Sequence, residues 1–153
     1  DYPFLLELAH YEYVELALSI SEDSNNLDGI DPGGDLLAQV PVKSVLAWVY
    51  AYQYPVHRIN KDFTPAEPGE QPVFIAVYRR GDDSVGFLEL NPVTARLLEA
   101  IDNNDEQRTG EALLRSLADE INYADADALV QHGAAALEEM RQLEILTGTR
   151  VPA

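Results

Sequence analysis

QPVFIAVYRRGDDSVGFLELNPVTARLLEAI, residues 71–101, is the stretch whose reading decides the fold. Val73, Ile75 and Val77 alternate with Phe74, Ala76 and Tyr78, which is the period-two pattern of a strand with two different faces. Gly81-Asp82-Asp83 supplies turn residues, and residues 85–90 return as a second strand. At the end of that strand Asn91 is a good N-cap. Pro92 fits the first helical position, where a missing N–H costs nothing, and Val93, Leu97, Leu98 and Ile101 recur at helical spacing. A strand-turn-strand-helix run without a catalytic motif suggests a binding module before it suggests an enzyme.

Upstream, residues 3–20 read as a helix. Phe4, Leu5, Leu8, Tyr11, Val14 (or Glu15), Leu16 and Leu18 give it a broad apolar face, with Glu7, Glu12 and Glu15 mostly on the other side. Residues 21–35, SEDSNNLDGIDPGGD, form an acidic, turn-rich connector. Residues 36–54 read as one strand, because Leu46, Trp48, Tyr50, Tyr52 and Tyr54 alternate with Val45, Ala47, Val49, Ala51 and Gln53. Pro55 ends it, and residues 57–71, with Pro65 and Pro68, cross irregularly to the hairpin. Downstream, Thr109 caps a second helix with Ala112, Leu113, Leu117, Ala118 and Ile121 on one face, closed by Asn122 and Tyr123. Asp125 or Asp127 caps a third helix to about Leu143, carrying Leu129, Val130, Leu137 and Met140, and Ile145-Leu146 is a short apolar tail. The expected fold is α+β: an N-terminal helix, a three-stranded antiparallel sheet, then three helices in winged-helix-like order. The expected division is 1–35, helix and acidic linker, and 36–153, the winged-helix-like domain.

A chain of 153 residues with 46% apolar content can bury a single core without staples. No run approaches the roughly 18 apolar residues of a membrane span, and no secretory signal is present. The start at Asp1-Tyr2-Pro3, without Met, reads as a piece of a longer protein with an N-terminal region missing. Without cysteine there are no disulfides, thiolate metal sites or Cys nucleophiles, which fits a reducing compartment; cytoplasm is the expectation. Twenty-seven acidic residues face 10 basic ones, a net charge of −17, and no third of the chain is basic. Nucleic acid binding needs clustered cations to displace phosphate counterions, so direct contact by this region is not expected. The acidity provides solubility or attracts a basic partner.

His10, His57 and His132 sit in no spacing that puts two ligands on one face, so neither a metal nor any other cofactor is expected. His10, between Tyr11 and Glu7, reads as a surface or half-buried packing residue. Glu138-Glu139 with Glu144 reads as a solvated helix face rather than an acid–base pair. The glycines of DGIDPGGD, residues 28–35, match neither phosphate nor calcium loops and read as turn chemistry. The row Trp48, Tyr50, Tyr52, Tyr54 could stack a ligand, but without cations around it core packing under the first helix is the better reading, with Tyr11 and Tyr13 as its cover. The remaining candidate is the strand at 85–90. If it borders the sheet, its unpaired amides and carbonyls either accept an extended peptide or are shielded by a helix.

YPFLLELAHYEYVELAL (2–18), LAWVYAYQYPVHRI (46–59) and FLELNPVTARLLEAI (87–101) together resemble the C-terminal region of HvfC-type proteins, a family long catalogued as carrying a DNA-binding domain at its N-terminus. The resemblance covers nearly the full chain. It implies a non-enzymatic partner of a multinuclear non-haem iron oxidative enzyme that delivers a ribosomal precursor peptide for modification of its cysteines. LNPVTARLLEAID followed by TGEALLRSLADEI is also similar to the PqqD-like peptide-recognition fold, in which a leader peptide adds as a strand beside the third strand and third helix. Carried over by position, that likeness implies a peptide site of Val85, Phe87 and Glu89 with Leu129, His132 and Ala136. The competing expectation is a sensing or dimerising region of a transcriptional regulator whose missing N-terminal domain binds DNA. No membrane partner is expected.

Overall fold

In the computed structural model, which describes residues 3–60, 62–69 and 71–152, the chain is α+β, with four α-helices and two antiparallel sheets. Tyr2, which opens one of the stretches quoted above, and Lys61 and Glu70 of the irregular crossing lie outside the described residues. In order the elements are α1 (Leu5–Ile20), β1 (Val40–Lys43), β2 (Ala47–Tyr52), β3 (Val73–Arg79), β4 (Val85–Leu90), α2 (Pro92–Asp102), α3 (Gly110–Glu120), α4 (Ala126–Gln142) and β5 (Leu146–Arg150). They fall into two compact units: the chain up to Asp23 with Leu46–Asn91, and Ser24–Val45 with everything from Pro92 on. The boundary passes between Asn91 and Pro92, so the hairpin and the helix of the 71–101 stretch belong to different units.

In the first unit, α1 lies on the three-stranded sheet β2-β3-β4. Tyr11, Val14 and Leu18 form its core with Leu46, Tyr52, Val56, Ile75 and Val77. Leu5 and Leu16, expected on the same apolar face, are instead exposed, because the apolar residues of this helix occupy two opposite sides. The β3–β4 hairpin closes through Arg80 N–H to the Ser84 carbonyl (2.8 Å), with Asp83 taking the left-handed conformation (φ 69°) that a three-residue loop needs. Arg79, whose side chain is mostly buried, donates to the carbonyls of Leu18 (2.9 Å) and Ser21 (2.8 Å). A cation thereby meets the negative end of the α1 dipole and satisfies carbonyls the helix leaves over.

The second unit corrects two sequence expectations. Residues 36–54 are not one strand but β1 and β2, broken between Lys43 and Ala47 and assigned to different sheets. The alternation quoted for residues 45–54 belongs to β2 and its flanks, does not extend into β1, and carries no information about which strand either one pairs with. The apolar tail at Ile145-Leu146 is the start of β5, which pairs antiparallel with β1. The chain turns into it at Glu144 (φ 67°), where Glu144 and Ile145 donate to the carbonyls of Arg141 and Met140 and close α4. The same closure at Asn122 (φ 55°) and Tyr123 ends α3 as expected. Thr109 and Asp125 cap α3 and α4 through their side-chain oxygens. Gly148 (φ 150°) lets β5 approach Asp31, whose N–H and carbonyl both bond Thr149 at 2.9 Å; a Cβ at Gly148 would meet the Asp31 carbonyl oxygen.

Candidate functional site

The register of the three-stranded sheet determines which main-chain groups stay free. Hydrogen-bonded and non-hydrogen-bonded pairs alternate along an antiparallel ladder. The bond from Arg80 to Ser84 makes that pair a bonded one, so in the same register Tyr78:Gly86, Ala76:Leu88 and Phe74:Leu90 are bonded pairs as well. The bond from Arg79 N–H to the Leu46 carbonyl (3.0 Å) assigns the odd-numbered residues of β3 to β2, consistent with this. Val85, Phe87 and Glu89 therefore aim their N–H and C=O groups away from β3, along the outer edge of β4. Among the described residues no other strand pairs with β4.

The other edge of the sheet is blunted just past the end of β2. On β2 the same alternation turns Ala47, Val49, Ala51 and, just beyond the strand, Gln53 outward. There the Glu7 carboxylate accepts from Gln53 N–H (2.9 and 3.0 Å) and Tyr54 N–H (2.8 Å), while Gly69 N–H donates to the Gln53 carbonyl (3.0 Å). This is how folded proteins protect an edge from unwanted pairing. The β4 edge has no such cover in the described structure.

The side chains of Phe87 and Glu89 lie on the α1 side of the sheet, in register with Val77 and Ile75. Phe87 is 50% exposed, with ring contacts to Tyr11 (6.3 Å between centroids) and His57 (5.7 Å). One Glu89 carboxylate oxygen accepts from Arg58 (2.7 Å) and lies 2.8 Å from His57 Nε2. His57 is nearly buried, and its Nδ1 has no partner among the described residues. His57 and Arg58, on the short 3-10 turn Val56–Arg58, thus hold the carboxylate that flanks the edge. Nothing in the sequence signals this, because the partners stand 32 and 31 residues apart.

The aromatic row is packing under α1, as expected, with one difference in its cover. Trp48, Tyr50 and Tyr52 share the α1 side through their pairing with Val77, Ile75 and Val73. Tyr11 is buried and meets Tyr52 edge-on (6.1 Å), whereas Tyr13 is 62% exposed. His10 packs from the rim, its Nδ1 2.9 Å from the Tyr52 hydroxyl and its ring 5.1 Å from that of Tyr50. Burial pushes the Tyr52 hydroxyl up to about 12, and burial together with the Glu15 carboxylate raises that of Tyr11 further. These hydroxyls stay protonated at neutral pH and carry no charge into the site.

The candidates Leu129, His132 and Ala136 lie on α4, in the second unit. Leu129 is buried, His132 exposed and Ala136 between the two. The structure thus gathers Val85, Phe87 and Glu89 on one strand and the other three on one helix. Among the described residues, no group of three or more His, Asp or Glu side chains is placed to hold a metal ion, and no helix is long and apolar enough to cross a membrane. A comparison with curated proteins finds no match. The family description "HvfC C-terminal domain" matches residues 44–141, from the turn before β2 almost to the end of α4. With well over half its length inside that match, the chain belongs to the HvfC C-terminal domain family.

Proposed function

We propose that the chain is a non-enzymatic adaptor that binds a ribosomal precursor peptide as an added strand on the outer edge of β4 and presents it to a multinuclear non-haem iron oxidative enzyme. The observation that carries this is the row of outward main-chain groups on Val85, Phe87 and Glu89. Edge amides and carbonyls supply sequence-independent affinity, and side chains beside them supply selectivity. Phe87 offers a half-exposed aromatic anchor, and Glu89, steadied by His57 and Arg58, a charged neighbour. This is the docking mode of the PqqD-like, winged-helix-like fold, and any iron belongs to the enzyme rather than to this chain.

The regulator reading assigns DNA contact to an N-terminal domain rather than to this region, where Lys43, Arg58, Arg96, Arg115 and Arg141 each pair with a carboxylate. Calorimetry with the cysteine-bearing precursor peptide encoded beside the gene tests the adaptor reading. Binding that Phe87→Pro weakens at least tenfold is the expected result. No binding, with or without the enzyme, refutes it.

A further inference from the structure

The outer face of α1 is a second apolar surface, left uncovered by the described residues. Leu6, Ala9, Tyr13, Leu16 and Ile20 follow one another at spacings of three and four, the a/d rhythm of two heptads of a helix–helix seam. At 100° per residue this stripe lies opposite Tyr11, Val14 and Leu18, the side buried on the sheet. Leu6 is 83% exposed, Tyr13 and Leu16 62% each and Ile20 69%. A helix that is apolar on two opposite sides calls for a cover on each. A contiguous patch of this kind, on the order of several hundred Å², marks a docking surface rather than ordinary surface texture.

Charge selects the occupant. The first 42 residues hold nine carboxylates and neither Lys nor Arg. Exposed Glu12 borders the stripe, and exposed Glu22 and Asp23 follow the helix. A second copy would bring two bodies of charge −17 together, and an anionic membrane would repel the chain for the same reason. The complementary surface is a helix with its own apolar seam flanked by cations. We propose that the outer face of α1 docks a basic amphipathic helix of a partner protein. The stripe points away from the sheet and leaves the β4 edge free, so this surface stands independently of peptide pairing.

The probe is a fluorescein-labelled 21-residue synthetic helix with Leu and Ile at a and d and Lys at e and g, beside a twin with Glu at e and g. Anisotropy is read against the chain and its Leu16→Glu and Leu6→Ser variants, with circular dichroism checking that each variant folds. Binding of the Lys helix alone, weakened at least tenfold by Leu16→Glu, is the expected result. That substitution adds negative charge, so mere charge attraction would instead strengthen binding. Undiminished binding by both variants, or equal binding of the Glu helix, overturns the proposal. Dimerisation in sedimentation velocity, or adsorption to phosphatidylglycerol vesicles, that Leu16→Glu abolishes would hand the stripe to a second copy or to a membrane and also overturn it.

Discussion

Proline at two adjacent positions of β4 separates an outward amide from an inward one. Leu88 pairs with Ala76, and its N–H lies inside the ladder. Ala76 is fully buried, so Leu88→Pro leaves a carbonyl without a donor or water, about 1–3 kcal/mol. Loss of the partly buried leucine side chain adds about 1 kcal/mol, and the ring presses against β3, for a total of about 3 kcal/mol or more. Phe87→Pro removes an N–H with no partner in the sheet. Its cost is the packing of a half-exposed ring on Tyr11 and His57, about 1 kcal/mol. Gly86, the residue before it, accepts the restriction a following proline imposes. The difference of about 2 kcal/mol corresponds to about 4–8 °C in Tm for a chain of this size. Urea and thermal unfolding measure it, and amide exchange by NMR reads the same alternation directly. Amides of Val85, Phe87 and Glu89 exchange quickly, and those of Gly86, Leu88 and Leu90 slowly. Equal destabilisation by the two prolines, or a Phe87 amide as protected as that of Leu88, refutes the assignment of the edge and with it the strand-addition site.

Arg79→Met leaves the last carbonyls of α1 without their cation. It is expected to cost about 2–4 kcal/mol in urea unfolding, whereas Arg115→Met, on an exposed ion pair, costs under about 1 kcal/mol. Leu97→Ala and Leu117→Ala each empty a buried side chain and are expected to cost about 2–5 kcal/mol, while Glu89→Ala leaves the nearly buried His57 Nε2 without its carboxylate and is expected to cost about 1–3 kcal/mol besides lowering peptide affinity. The raised Tyr11 and Tyr52 hydroxyls predict an alkaline limit. Above the ordinary value near 10 the unfolded chain loses phenolic protons that the folded one keeps, so stability is full below about pH 10 and falls as pH rises towards about 12. Ultraviolet titration of the phenolates, compared with Tyr52→Phe, shows whether these two ionise last.

The local sequence by itself determined most elements. Period-two alternation over 73–78 with turn residues at 81–83 gave the hairpin, and helical spacing with Thr109 and with Asp125 or Asp127 as caps gave α3 and α4 and about where they begin. Side-chain spacing and capping are properties of neighbouring residues, which is why they are legible without a partner. Val85, Phe87 and Glu89 entered through the PqqD-like resemblance; strand periodicity adds only that residues two apart share a face and a hydrogen-bonding direction, and which set faces outward is set by the register with β3.

Tertiary structure alone decided who pairs with whom. The alternation of residues 45–54 is blind to partners, so only pairing of β1 with β5, more than 100 residues away, splits residues 36–54 into two strands. Tyr11, Val14 and Leu18 of α1 looked like one broad face with Leu5 and Leu16 until the sheet took those three and left Leu5 and Leu16 to solvent. The joining of His57 and Arg58 to Glu89 also comes from the fold, since a carboxylate and its donors some 30 residues apart share no local pattern. Sequence specifies the groups that can interact at short range; burial and register, which are long-range, specify which of them remain free to bind something else.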